Sequence, residues 1–263
     1  MKKYISLLLL SVLLSACSEQ YEPDTNILPD GEYPILFSAD NFVMPTSKSF
    51  VNGDSAGVYM RDNYNVITDD NKEYVYNGGK LTASANKRYW TRADQEITVT
   101  AYYPRNANVS DISDQKTLAR YNNFDIMRAT GTVGFNERET KTLDFSHLMS
   151  RIDLQLSFGS GYSASDIDKV YIANTIAGGT FTYGINSYSI VPSGTKRYIF
   201  PYTSDNVNYQ AVVVPQTISG TVSNPQFLFY VTLKQNIKTY NVPVTTTLQF
   251  EAGKQYTYTL SIN

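Results

Sequence analysis

Cysteine, histidine and tryptophan are almost missing from this 263-residue chain, which has one of each. A lone cysteine excludes an internal disulfide, so an exported form must be held by packing and strand pairing. One histidine and one cysteine cannot furnish a zinc site. Charge is sparse as well: Asp, Glu, Lys and Arg make up 17%, the formal net charge is −2, and there is no Lys/Arg run. The electrostatic footprint of a nucleic-acid binder is lacking, and no nucleic-acid partner is expected. Acidic residues gather at Asp69-Asp70-Asn71-Lys72-Glu73 and at Asp111 and Asp114, without the spacing of a calcium loop, and read as solvated loops. Asn77-Gly78-Gly79 lacks the Lys-Ser/Thr and helix of a phosphate-cradling loop. The sole histidine, His147, is read as structural. No catalytic set, metal site or cofactor is expected. Long segments of helical period are missing too.

The N-terminus holds a short charged start, Lys2-Lys3, then a serine-broken apolar stretch from Ile5 to Leu14, then Leu14-Ser15-Ala16-Cys17. That run is too short for a bilayer span, which takes ~20 residues, and its order fits a secretory signal with small residues at the cut. A cysteine directly after Ser-Ala resembles a bacterial lipoprotein lipobox. Residues 1–16 are read as signal peptide, Cys17 as the lipidated first residue of the mature chain, and the polar, acidic, Pro-containing residues 17–30 as its tether. Acyl chains worth ~0.8 kcal/mol per buried CH₂ would hold it at a membrane surface.

Tyrosine (22) and phenylalanine (12) are abundant, together with Thr, Val and Ile, residues that suit a pleated, half-buried surface. The expected class is all-β. The length allows two domains, and a shift in pattern places their boundary near residue 140, giving 31–140 and 141–263. Asn77-Gly78-Gly79 signals a hairpin. Residues 96–102 alternate, with Ile97, Val99 and Ala101 on one face of a half-buried strand that stops at Pro104. Residues 42–52 read as loop, and a short helix is expected over Ser113–Arg120. In the second half, strands recur at roughly ten-residue spacing, which suggests a sandwich. The last strand is the cleanest: Tyr256, Tyr258, Leu260 and Ile262 form one face and Thr257, Thr259 and Ser261 the other. Such a strand wants a partner sheet, its own domain's or a neighbour's.

Several segments together resemble the fimbrillin family, the type V pilins of gut and oral anaerobes. They are Phe50-Val51-Asn52-Gly53-Asp54-Ser55-Ala56-Gly57-Val58-Tyr59, Ala101-Tyr102-Tyr103-Pro104, Leu143-Asp144-Phe145-Ser146-His147-Leu148-Met149-Ser150-Arg151, Val214-Pro215-Gln216 and Phe250-Glu251-Ala252-Gly253-Lys254-Gln255-Tyr256-Thr257-Tyr258. The resemblance implies two transthyretin-like β-sandwich domains in tandem, no enzymatic activity, and a lipidated precursor at the outer membrane. It implies that a trypsin-like maturation protease cuts in the loop after the first strand, here between Lys48 and Ser49. The piece carrying Ile35, Leu36 and Phe37 then leaves a groove. A strand from another pilin subunit, with Tyr256, Tyr258, Leu260 and Ile262, would fill it by strand addition. Lys48 stands where the family more often has Arg, and Arg61 is the next basic residue. The alternative expectation is a monomeric surface lipoprotein that stacks glycans on tyrosines at Tyr89-Trp90, Tyr102-Tyr103 or Tyr198 to Tyr202.

Overall fold

A computed structural model describes residues 24–39, 42–43, 49–235 and 239–263; Cys17 and Lys48 lie outside them. Strands dominate, as the composition implies. The first half runs β1 (Leu36–Ser38), β2 (Phe42–Val43), β3 (Ser55–Asp62), β4 (Thr68–Asn77), β5 (Lys80–Ala83), β6 (Glu96–Tyr103), α1 (Leu118–Phe124), β7 (Met127–Gly134) and β8 (Phe145–His147). These strands form one sheet in the order β1-β5-β4-β3-β6-β7-β8-β2. β1 and β2 are near neighbours in the chain yet pair with opposite ends of that order, so the sheet curls until its ends meet. The β4–β5 hairpin turns through Gly78 and Gly79, with φ of +56° and +87°, the pair of left-handed residues whose twist matches the flanking strands.

On β6, Ile97, Val99 and Ala101 are fully buried. The opposite face was expected to be open, yet Thr100 and Tyr102 are buried as well. A hairpin from the second half of the chain covers them: the Tyr102 hydroxyl donates to the Gly184 carbonyl at 2.9 Å, and its ring meets Phe181 at 5.7 Å.

The second half runs β9 (Ser150–Phe158), β10 (Ile167–Ile172), β11 (Gly179–Tyr183), β12 (Tyr188–Pro192), β13 (Asn208–Val213), β14 (Gln216–Ser219), β15 (Gln226–Leu233), β16 (Thr239–Val244), β17 (Thr247–Phe250) and β18 (Gln255–Ile262). They assemble as β10-β15-β16, β13-β9-β18 and the pairs β11-β12 and β14-β17.

Two hydrophobic clusters result. The first holds buried residues from Ile35 to Phe145. The second holds residues from Leu148 to Ile262 together with Tyr59, Tyr102, Val109, Ile112, Tyr121 and Ile126. The seam between the clusters falls between Phe145 and Leu148, and the β6–β7 connection belongs to the second cluster. Gln115 fixes that connection. Its fully buried amide donates to the carbonyls of Ile112 and Val212 at 2.9 and 2.8 Å and accepts the Val212 N–H at 2.9 Å. Main-chain bonds from Phe200 N–H to Ser113 O and from Gln115 N–H to Phe200 O, at 2.7 and 2.9 Å, hold residues 113–115 extended. That is why the helix begins at Leu118, capped by Thr117, instead of at Ser113.

Candidate functional site

Residues 24–39 and 42–43 form a strap laid along the first cluster. Ile35, Phe37 and Ala39 are 1%, 1% and 0% exposed, with Leu36 half-buried on the other face. On one side β1 pairs antiparallel with β5, in the register Leu36↔Thr82 and Phe37↔Leu81. On the other side Leu143 N–H donates to Ser38 O at 2.7 Å, and β2 pairs parallel with β8. The strap thus fills a gap between two strand edges, each of which would be open without it. Residues 24–30, expected as a free tether, are bound as well: Leu28 N–H donates to Thr91 O, Ala93 N–H donates to Asn26 O, and Asp24 pairs with Arg92. The arginine holds the Asp24 carboxyl below its ordinary range. Composition marks this stretch as polar but cannot show that its backbone has found partners.

Ser49 is exposed, and the next residue, Phe50, is buried. The Phe50 ring meets Tyr76, Tyr103 and Phe145 at 4.9, 4.7 and 5.1 Å. Tyr103 also donates to Asp54 at 2.7 Å; burial first, and the Asp54 carboxylate second, push its pKa up. Residues from three separated sequence motifs therefore meet in one cluster just beyond the exposed Ser49. Gly57 of the first motif lets the Asn71 side chain lie close, because a Cβ there would stand 2.0 Å from the Asn71 amide oxygen and push it aside. Gln216 of the Val-Pro-Gln motif accepts the Ile176 N–H at 2.7 Å and donates to the Ile176 carbonyl at 3.1 Å, standing in for a strand partner. Arg61 is a poor protease site: it lies within β3 and pairs with Asp70 at 2.5 Å.

The C-terminal strand β18 lies at the edge of its sheet, paired parallel with β9 from Gln255↔Arg151 to Ile262↔Phe158. Tyr256, Tyr258 and Leu260 are half-buried and Ile262 is fully buried, while Thr257, Thr259 and Ser261 face solvent. Tyr258 packs against Phe229 at 5.1 Å and Tyr256 against Phe250 at 5.0 Å. In this structure the strand occupies its own chain's second cluster.

His147 is buried at the seam, and its Nδ1 shares a 2.7 Å hydrogen bond with buried Asp125. Its Nε2 has no hydrogen-bond partner among the described residues, so no serine hydroxyl is aligned with it. One hydrolase-like spacing, Gly53-Asp54-Ser55-Ala56-Gly57, is present in the sequence. Ser55, however, opens a strand rather than sitting on a strand-to-helix elbow, and its hydroxyl donates to Glu73 at 3.1 Å. Bonds from Ser84 and Ser55 hold the Glu73 carboxyl low, which makes it a weak base. Replacing His147 with Ala should cost ~1–3 kcal/mol by leaving a buried acceptor short of a donor, read by urea unfolding. A variant of unchanged stability would contradict the structural role. Among the described residues no group of three or more His, Cys, Asp or Glu is arranged to hold a metal ion, and no helix is long and apolar enough to cross a membrane. Of the tyrosine pairs considered as glycan platforms, Trp90, Tyr102 and Tyr103 are buried and drop out; Tyr198 is exposed.

These features define an all-β protein whose first sheet is completed by its own N-terminal strand. The fimbrillin-like family profile matches residues 44–263, and the chain belongs to that family. Among solved structures, a candidate cell-adhesion protein of Bacteroides uniformis is similar, at 20% identity and a TM-score of 0.64, covering 88% of this chain and 94% of that one. A second, from Bacteroides ovatus, has 19% identity and a TM-score of 0.62, covering 87% and 91%. At these identities the likeness is one of fold. Among curated proteins no relative matches.

Proposed function

We propose that this protein is a structural, non-enzymatic pilus subunit. It is exported as a lipoprotein through Cys17, matured at the outer membrane, and polymerised by strand exchange for cell adhesion. The observation that carries the reading is the strap: a short alternating strand seated between two edges of one sheet, joined to the rest of the chain through residues 44–49. Family membership and the adhesion assignments of the two structural relatives support it. On this reading the two clusters are the two transthyretin-like domains of the family. The protease would cut after Lys48, next to exposed Ser49, while buried Phe50 anchors the new N-terminus.

The physical effect of the cut is on effective concentration. Burying Ile35 and Phe37 stabilises the strap by ~3–6 kcal/mol at ~1.5–3 per side chain. While the strap is tethered, no external strand competes with it. Once cut, it is a separate peptide that dilutes away. The vacated gap then presents two unpaired strand edges and apolar pockets, the requirements of strand addition. The donor is β18. It lies at a sheet edge, its pairing is parallel and so slightly weaker per residue, and its large residues alternate as Ile35, Phe37 and Ala39 do. Head-to-tail donation does not close on itself and builds a fibre.

Limited trypsin digestion of the lipid-free chain, followed by intact mass and an unboiled gel, tests this. The expected result is a new N-terminus at Ser49 and a ladder of stable multimers. A chain that resists cutting at Lys48, or is cut there and stays monomeric, would overturn it.

A further inference from the structure

Outside the strap and β18, the outer face of the β10-β15 sheet carries a cluster of three tyrosines in mutual contact. Tyr171 on β10 stands directly across from Tyr230 on β15, with their rings stacked at 5.6 Å and 24°. Tyr198 comes from the neighbouring extended segment, which pairs with β10 at Ile172↔Ile199. Its ring lies 4.4 Å from that of Tyr171, and it is 51% exposed. Cross-strand aromatic pairs support a sheet, but that role needs neither an exposed ring face nor free hydroxyls. None of the three hydroxyls makes a hydrogen bond among the described residues. The cluster borders a cleft of about 600 Å³ lined by Tyr198 and Tyr230 with Ser113, Asn174, Lys196 and Arg197, a volume in the range of small-ligand sites. The charged residues lining the cleft are both cations. Asp111 neutralises Arg197 at 3.1 Å, whereas Lys196 has no ion pair among the described residues.

We propose that this cleft binds an acidic saccharide. A pyranose ring would stack its C–H face on exposed Tyr198, with the Tyr230 ring, turned 65° from it, at the sugar's edge; its hydroxyls would bond the tyrosine hydroxyls and Ser113, and its carboxylate would meet Lys196. Aromatic faces ringed by hydroxyl and amide groups suit a sugar, which is apolar on its face and polar at its rim. The single uncompensated cation selects the acidic kind. The site gives the pilus reading a ligand but does not depend on it, because neither the strap nor β18 contributes to it.

The test uses the intact lipid-free chain and three probes: sialyllactose, a glucuronate-containing disaccharide and neutral lactose, each followed by saturation-transfer NMR and calorimetry. Saturable binding of at least one acidic probe is expected, with lactose weaker. Comparing the two acidic probes distinguishes a sialic acid from a uronic acid. Tyr198→Ala should weaken binding about tenfold. Lys196→Gln should weaken the acidic probe about fivefold and leave lactose unchanged. Near-UV circular dichroism confirms that both variants keep the fold. No saturable binding to any probe, or binding that Tyr198→Ala leaves intact, would overturn the site. Equal affinity for acidic and neutral probes, unmoved by Lys196→Gln, would overturn the acidic assignment.

Discussion

Phe37→Ala should destabilise the uncut chain by ~3–5 kcal/mol, the range for emptying a buried aromatic site. Phe37 is 1% exposed and lies against Tyr74 at 5.7 Å. For a chain of this size each kcal/mol moves the unfolding midpoint by about 2–4 °C, so a fall of roughly 10 °C is expected in calorimetry. On the proposed maturation, the same substitution should have no effect on the assembled polymer, because the residue would leave with the strap. It should also speed assembly after the cut, since a weaker strap leaves sooner. Equal losses in precursor and polymer would mean that Phe37 stays in the mature subunit, and the placeholder role of the strap would fail.

A fragment of residues 141–263 should not fold by itself. It would lack Val109, Ile112, Tyr121 and Ile126, all buried in the second cluster, and would lose the three hydrogen bonds of Gln115. In the full chain, Ile112→Asp places an unpaired charge at a fully buried position, a cost of several kcal/mol against a total stability of only ~5–15. Hydrogen exchange should then show protection lost across β9 to β18 while β3 to β7 retain theirs. A cooperative unfolding transition in the 141–263 fragment would show that the β6–β7 connection is dispensable.

Local pattern carried much of the fold into view. Alternation marked β6 and β18, and Asn77-Gly78-Gly79 marked the β4–β5 hairpin, because each is written in consecutive residues. Long-range placement was hidden. Residues 106–123 look like a polar loop, yet Val109, Ile112 and Gln115 enter a core formed by residues distant in the chain. Thr100 and Tyr102 look like a solvent face until the β11–β12 hairpin covers them. For the candidate site, the short apolar segment Ile35-Leu36-Phe37 was legible, though not which of its faces is buried. The closure of the sheet by that strand was not, since it depends on β5 and on residues 142–146 arriving on either side. The tyrosine cluster was visible in part at Tyr198, whereas Tyr171 and Tyr230 are joined to it only by strand register.

Cross-linking between subunits tests the central claim most directly. Cys17 is the only cysteine, so Cys17→Ser gives a cysteine-free background. Thr82→Cys, on the β5 edge that now pairs with Leu36, is combined in turn with Thr257→Cys, Thr259→Cys and Ser261→Cys on the solvent face of β18. After cutting at Lys48, one pairing should yield a disulfide-linked ladder on a non-reducing gel, and the uncut chains should yield none. A cut protein that forms no linked species with any of the three, or an uncut one that links equally well, would contradict strand exchange by β18.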